Sequence, residues 1–140
     1  MVDVGLTHVA LPVKDVDVSA AFYAKYAKMK VVHRRTSPED GHAVAWLSDN
    51  TRPFVIVLIE TENVLPLLTP WAHLGVGCES REEVDRLCDE ARAENILIDG
   101  PTDSDYPVGY WCFLRDPDGH TLELSYGQEV GLIVEKSNDN

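Results

Sequence analysis

The order of landmarks along the chain repeats once. Thr7-His8 is matched by Ala72-His73, 65 residues later (73 − 8), and Trp46-Leu-Ser-Asp49 by Phe113-Leu-Arg-Asp116, 67 residues later (116 − 49). Two independent landmarks at nearly one offset constrain the fold more than any single motif. A period this long, present only twice, is not that of a solenoid array. It reads as an internal duplication, a pair of modules related by a pseudo-twofold axis.

The local patterns give each module the same order. Residues 5–13 (GLTHVALPV) have a strand-like apolar character that ends at Pro12. A helix follows over roughly 16–28, opened by an Asp at the N-cap, with Val18, Ala21, Phe22 and Ala24 or Lys25 at helical spacing. Strands are predicted over 29–36, 42–47 and 54–60, with turns at Ser37-Pro-Glu-Asp-Gly and Asp49-Asn-Thr-Arg-Pro. The order restarts with a strand over 71–78. Ser80-Arg-Glu-Glu matches a helix capping box, and Val84, Leu87, Cys88, Ala91 and Ala93 form that helix's apolar face. Strands over 95–99, 109–114 and 121–126 complete the module, with a loop from Gly100 and a turn at Asp116-Pro-Asp-Gly. The fold class is therefore α+β, two βαβββ modules related by pseudo-twofold symmetry. The first module spans 1–62, a Pro- and Leu-rich connector 63–70, the second module 71–127 and a frayed tail 128–140.

The 140 residues suffice for a sizeable core without disulfide or metal staples. A formal net charge of −12 disfavours nucleic acid and anionic membrane surfaces as partners, because both require a basic footprint. It leaves small substrates open, since a local pocket can oppose the global sign. Cys78, Cys88 and Cys112 match no zinc spacing, and their odd number argues for a reduced compartment. With no secretory pattern at the N-terminus and no apolar run long enough to span a bilayer, a cytoplasmic protein is expected.

Of the five histidines, His8 and His73 occupy equivalent positions, each early in the first strand of its module. Alternation in the last strand puts Leu122 and Leu124 on one face and Thr121, Glu123 and Ser125 on the other. A carboxylate in so apolar a strand needs a partner, and a metal can supply it. Two imidazoles and one carboxylate form a facial triad suited to Fe(II), Mn(II) and related ions. His33, His42 and His120 are expected at the surface. Asp116 and Asp118 read as turn formers. Trp46, Trp71, Trp111 and Tyr126 read mostly as core or interface residues, and Tyr106 and Tyr110 as candidates for a pocket rim. The cysteines read as packing residues.

His8 within Leu-Thr-His-Val-Ala-Leu-Pro-Val, His73 within Trp-Ala-His-Leu-Gly-Val, and Asp116-Pro-Asp-Gly-His-Thr-Leu-Glu123 resemble the vicinal oxygen chelate superfamily. That group includes glyoxalase I, extradiol dioxygenases, fosfomycin-resistance proteins and bleomycin-binding proteins. The resemblance covers about residues 5–127, and the D-P-D-G-x-x-x-E ending is its most specific part. It implies paired βαβββ modules whose curled sheets surround a central metal cavity, and one divalent metal ion (Fe, Mn, Ni, Zn or similar) held by His8, His73 and Glu123. Members with four ligands carry a further acid or amide in the first module. The repeat offset puts that position at Ile56, Val57 or Leu58, none of which binds metal, and Glu60 would reach it only through a bulge. The chain is thus closer to the three-ligand pattern.

Two main functions follow, beside a third in which the metal has only a structural role. In the first, the chain is an enzyme of glyoxalase or dioxygenase type, whose metal is chelated by two oxygens of a small substrate in lyase, isomerase or ring-cleaving dioxygenase chemistry. Glu60 and Tyr110 are weak candidates for its general base. The second is a non-catalytic small-molecule binding or drug-resistance module, against which the retained ligand set argues. The apolar connector, with Leu65, Pro66, Leu67, Leu68 and Pro70, needs cover, and a homodimer is expected to supply it.

Overall fold

The structure, a computed structural model, describes residues 2–69 and 71–138. The chain divides into two compact units, Met1–Pro66 and Leu67–Asn140, and the division falls inside the expected connector. Pro70 of that connector lies outside the described residues.

The first unit contains β1 (His8–Val13), α1 (Val16–Ala27), β2 (Lys30–Thr36), β3 (Ala43–Ser48) and β4 (Val55–Glu60). Its four strands form one sheet in the order β1-β4-β3-β2, parallel between β1 and β4 and antiparallel elsewhere. The second unit repeats this with β5 (Leu74–Gly77), α2 (Arg81–Ala93), β6 (Leu97–Asp103), β7 (Tyr110–Arg115) and β8 (Thr121–Tyr126), in the order β5-β8-β7-β6. In each unit the helix packs on one face of its own sheet. Period-two alternation sorts the side chains between the faces. Ala45, Leu47, Ile56 and Leu58 are buried on the α1 face, and Cys112, Leu114, Leu122 and Leu124 on the α2 face. Each buried leucine contributes about 1.5–3 kcal/mol.

Asp15 caps α1, its Oδ1 accepting from the amides of Asp17 (2.9 Å) and Val18 (3.2 Å). Lys28, in the left-handed region at φ 55°, ends it. Ser80 caps α2 by accepting from the Glu83 amide at 3.0 Å. The Glu83 carboxylate reaches back one residue further than a capping box requires, to the amide of Glu79 at 2.8 Å.

Several expectations are corrected. Pro12 lies inside β1, paired with Ile59; β1 is an edge strand, where a missing N–H is tolerated. The strand expected from residue 71 begins at Leu74. Gly100 begins no loop: β6 continues through it to Asp103 by way of register shifts. The tail is not frayed throughout, since α3 spans Val130–Ser137. The buried face of α2 is Val84, Leu87, Cys88 and Ala91, with Ala93 exposed. That of α1 is Val16, Ser19, Phe22, Tyr23, Tyr26 and Ala27, so of the expected set only Phe22 is buried. The phase was misread because two tyrosines, which bury their rings, were not counted as apolar.

Candidate functional site

In the second unit, β8 turns Glu123 to the face away from α2. Its register partners there are Gly75 on β5 and Phe113 on β7. His73 directly precedes β5 and places Nε2 3.5 Å from Glu123 Oε2. The imidazole packs against the Phe113 ring with centroids 4.8 Å apart. Glu123 is only 7% exposed. Its oxygens lie 3.4 and 3.5 Å from Gln128 Nε2, both long for a charge-assisted hydrogen bond.

Gly75 leaves the space over this carboxylate open, since a Cβ there would stand 3.4 Å from Glu123 Oε2. Thr121, two residues before Glu123 on the same face, buries a hydroxyl that has no hydrogen-bond partner among the described residues. A poorly compensated carboxylate, an adjacent imidazole, an orphaned hydroxyl and a missing Cβ fit a bound cation. A separation of 3.5 Å suits two donors to one ion, with bonds of about 2.0–2.2 Å to each. Among the described residues, neither unit by itself gathers three His, Cys, Asp or Glu side chains into a metal cluster.

His8 opens β1 in the first unit, in register with Val55. Its Nδ1 lies 2.9 Å from Thr7 Oγ1. In the tautomer where Nδ1–H donates to that hydroxyl, Nε2 keeps its lone pair. The register also narrows the Ile56–Leu58 window. Gly75, two residues after His73, pairs with Glu123, and Ala10, two residues after His8, pairs with Val57. Val57 is therefore the counterpart of Glu123.

Glu60 pairs with Val13 and shares the α1 face with Ile56 and Leu58, opposite His8. Its Oε2 faces the Val16 amide at 3.4 Å, at the start of α1. Tyr110 shares the α2 face with Cys112 and Leu114, away from Glu123. Its hydroxyl donates to Asp85 Oδ1 on α2, and the Arg81 guanidinium covers its ring at 3.9 Å. The hydrogen bond to Asp85, then burial, raises the Tyr110 pKa, which keeps it protonated. Within the first unit Glu60 thus lies on the face opposite His8, and within the second Tyr110 lies on the face opposite Glu123.

His120 corrects an expectation: it is fully buried, not at the surface. It shares the phase of Leu122 and Leu124, and its Nδ1 accepts from the Leu68 amide at 3.4 Å. Asp116 is the turn former expected, its Oδ1 accepting from the amides of Asp118 and His120, both at 2.9 Å. His33 is exposed and packs against Trp46, whereas His42 is half-buried with Nδ1 3.1 Å from the Glu60 carbonyl oxygen. Trp46, Trp71 and Tyr126 are not core residues in this chain, being 37%, 100% and 43% exposed. The sequence reading missed Gly75, whose signal was its place two residues after His73, and the cleft over the first sheet, which holds Arg35 and Arg52.

The sequence pattern of the Glyoxalase/Bleomycin resistance protein/Dioxygenase superfamily matches residues 5–124. An uncharacterised protein of Pseudomonas aeruginosa is 40% identical over 129 residues, covering 90% of this chain and 91% of the relative. A lactoylglutathione lyase of Arabidopsis thaliana is 31% identical over 124 residues, which are 84% of this chain and 42% of that longer protein. Among solved structures, the trypanothione-dependent glyoxalase I of Leishmania major superposes with a TM-score of 0.71 at 25% identity, covering 97% of this chain and 95% of that one. With that family's pattern matched over residues 5–124, most of its length, the chain belongs to the glyoxalase/bleomycin resistance protein/dioxygenase superfamily.

Proposed function

We propose that the chain is a divalent-metal-dependent enzyme of glyoxalase or dioxygenase type, acting on a small substrate that presents two oxygens to the metal. The observation that carries this reading is the His73–Glu123 pair, held over Gly75 with its carboxylate poorly compensated. His8, His73 and Glu123 are the proposed ligands. When bound, the ion would supply Lewis-acid stabilisation of negative charge developing on the substrate oxygens. Thr7 orients the His8 ring, Gln128 steadies the Glu123 carboxylate, and Phe113 backs His73. The Thr121 hydroxyl lies two residues before Glu123 on the same face, buried and without a hydrogen-bond partner among the described residues. The test is elemental analysis of purified protein. His8→Ala and Glu123→Gln should each lose the divalent ion yet keep the circular dichroism of the parent. Undiminished metal in both would overturn the assignment.

A cytoplasmic setting belongs to the same reading, supported by three free cysteines. Among the described residues no helix is long and apolar enough to cross a membrane. A homodimer also belongs to it, because Leu65 and Leu67 of the connector are 76% and 63% exposed. Light scattering should give twice the 15.6 kDa chain mass, and Leu67→Asp should halve it. A parent of single-chain mass at micromolar concentration would refute the dimer.

A further inference from the structure

The first sheet carries a cleft of about 660 Å3 on the face away from α1, within the range of small-molecule sites. Trp46, Val55, Val57 and Ile59 make an apolar floor, and His8 stands on its wall. The charges at this cleft run against the rest of the chain. The protein has 24 acids to 12 lysines and arginines, yet the cleft is lined by Arg35, Arg52 and a single acid, Asp3.

The strand pattern explains Arg35. Arg34 pairs with Ala45 in register, lies on the α1 face and is held by Asp17 at 2.6 Å. Arg35 pairs with Val44, which pairs with Ile59, and so stands on the cleft face. Arg52 sits in the β3–β4 loop, which Asp49 organises by accepting from the Thr51 amide (2.9 Å) and hydroxyl (2.6 Å). Among the described residues neither Arg35 nor Arg52 pairs with a carboxylate. Each guanidinium therefore keeps a fork of donors suited to a planar anion. Among the described residues that line the cleft, two guanidiniums thus stand against one carboxylate, that of Asp3.

We propose that this cleft binds a small organic monocarboxylate with an apolar body, Arg35 and Arg52 taking its carboxylate and the Trp46–Val57 floor its hydrocarbon part. The inference deepens the proposed function by naming a substrate class, and it rests on that reading only for what happens at His8.

The experiment uses chelator-treated full-length protein and a matched probe pair, 4-phenylbutyrate and its neutral amide, followed by calorimetry and tryptophan fluorescence. The acid should bind about tenfold or more tightly than the amide, the scale of one charge-assisted hydrogen bond. Arg35→Gln and Arg52→Gln should each lower the acid's affinity about tenfold and leave the amide's unchanged, while Arg34→Gln alters neither. Equal binding of acid and amide, no binding of either, or undiminished acid affinity in the Arg35→Gln/Arg52→Gln double variant would overturn the proposal. Because the metal is removed, the result is independent of the ligand assignment. Intact acid preference beside undiminished metal in Glu123→Gln and His8→Ala would sink the metal reading alone. Lost preference beside metal loss in those variants would sink the anion reading alone.

Discussion

The two sheets share strand order and register, yet the faces turned away from their helices have diverged. On the first, the position two residues beyond His8 is Ala10, paired with Val57, in an apolar cleft with two arginines at its edge. On the second, the position two residues beyond His73 is Gly75, paired with Glu123. Each unit has one histidine at a matching place, but one sheet sets a carboxylate beside a glycine there and the other a hydrocarbon surface. The α faces did not diverge in kind, because each must bury an aliphatic layer under a helix, and that requirement does not depend on the ligand.

This contrast can be broken at several points. Gly75→Ala puts a methyl group in van der Waals contact with Glu123 Oε2, in space the proposed ion would use, and should lower divalent-metal affinity about tenfold, on the scale of an outer-partner change. Its counterpart Ala10→Gly should leave metal affinity unchanged and cost about 0.5–1 kcal/mol of stability. A chelator competition titration and a urea melt read the two, and equal metal effects would erase the asymmetry. The helix caps should behave alike in both units. Asp15→Ala and Ser80→Ala should each cost about 1 kcal/mol in urea unfolding, with metal content unaltered. Glu60→Gln should have the smallest effect on the metal. Since Glu60 faces the start of α1, metal affinity should stay within about threefold, below the tenfold of an outer partner that matters. A larger loss would add Glu60 to the ligand set and favour the four-ligand pattern.

The two helices show how far the sequence could be read. For α2 the burial of Val84, Leu87, Cys88 and Ala91 follows from spacing alone, because the opposite face is densely charged. In α1 the buried face includes Ser19, Tyr23 and Tyr26, residue types whose burial depends on what lies beneath them, so spacing of aliphatic residues pointed to the wrong stripe. His120 was misplaced for a related reason. Its proximity to a polar turn suggested exposure, although its phase with Leu122 and Leu124 pointed inward.

By itself the sequence determined the duplicated βαβββ order, the family, the Asp116 turn and the alternation that separates Glu123 from Leu122 and Leu124. These depend on local periodicity and short-range hydrogen bonding, which a few consecutive residues specify. Tertiary structure decided that Gly75 lies beneath Glu123, that Val57 is the carboxylate's counterpart, that Tyr110 is tied to Asp85 and that Arg35 faces a cleft while Arg34 grips Asp17. Each of these depends on the register between strands distant in sequence, or on which face of a sheet its helix covers. A shift of one residue in register would move every such side chain to the opposite face.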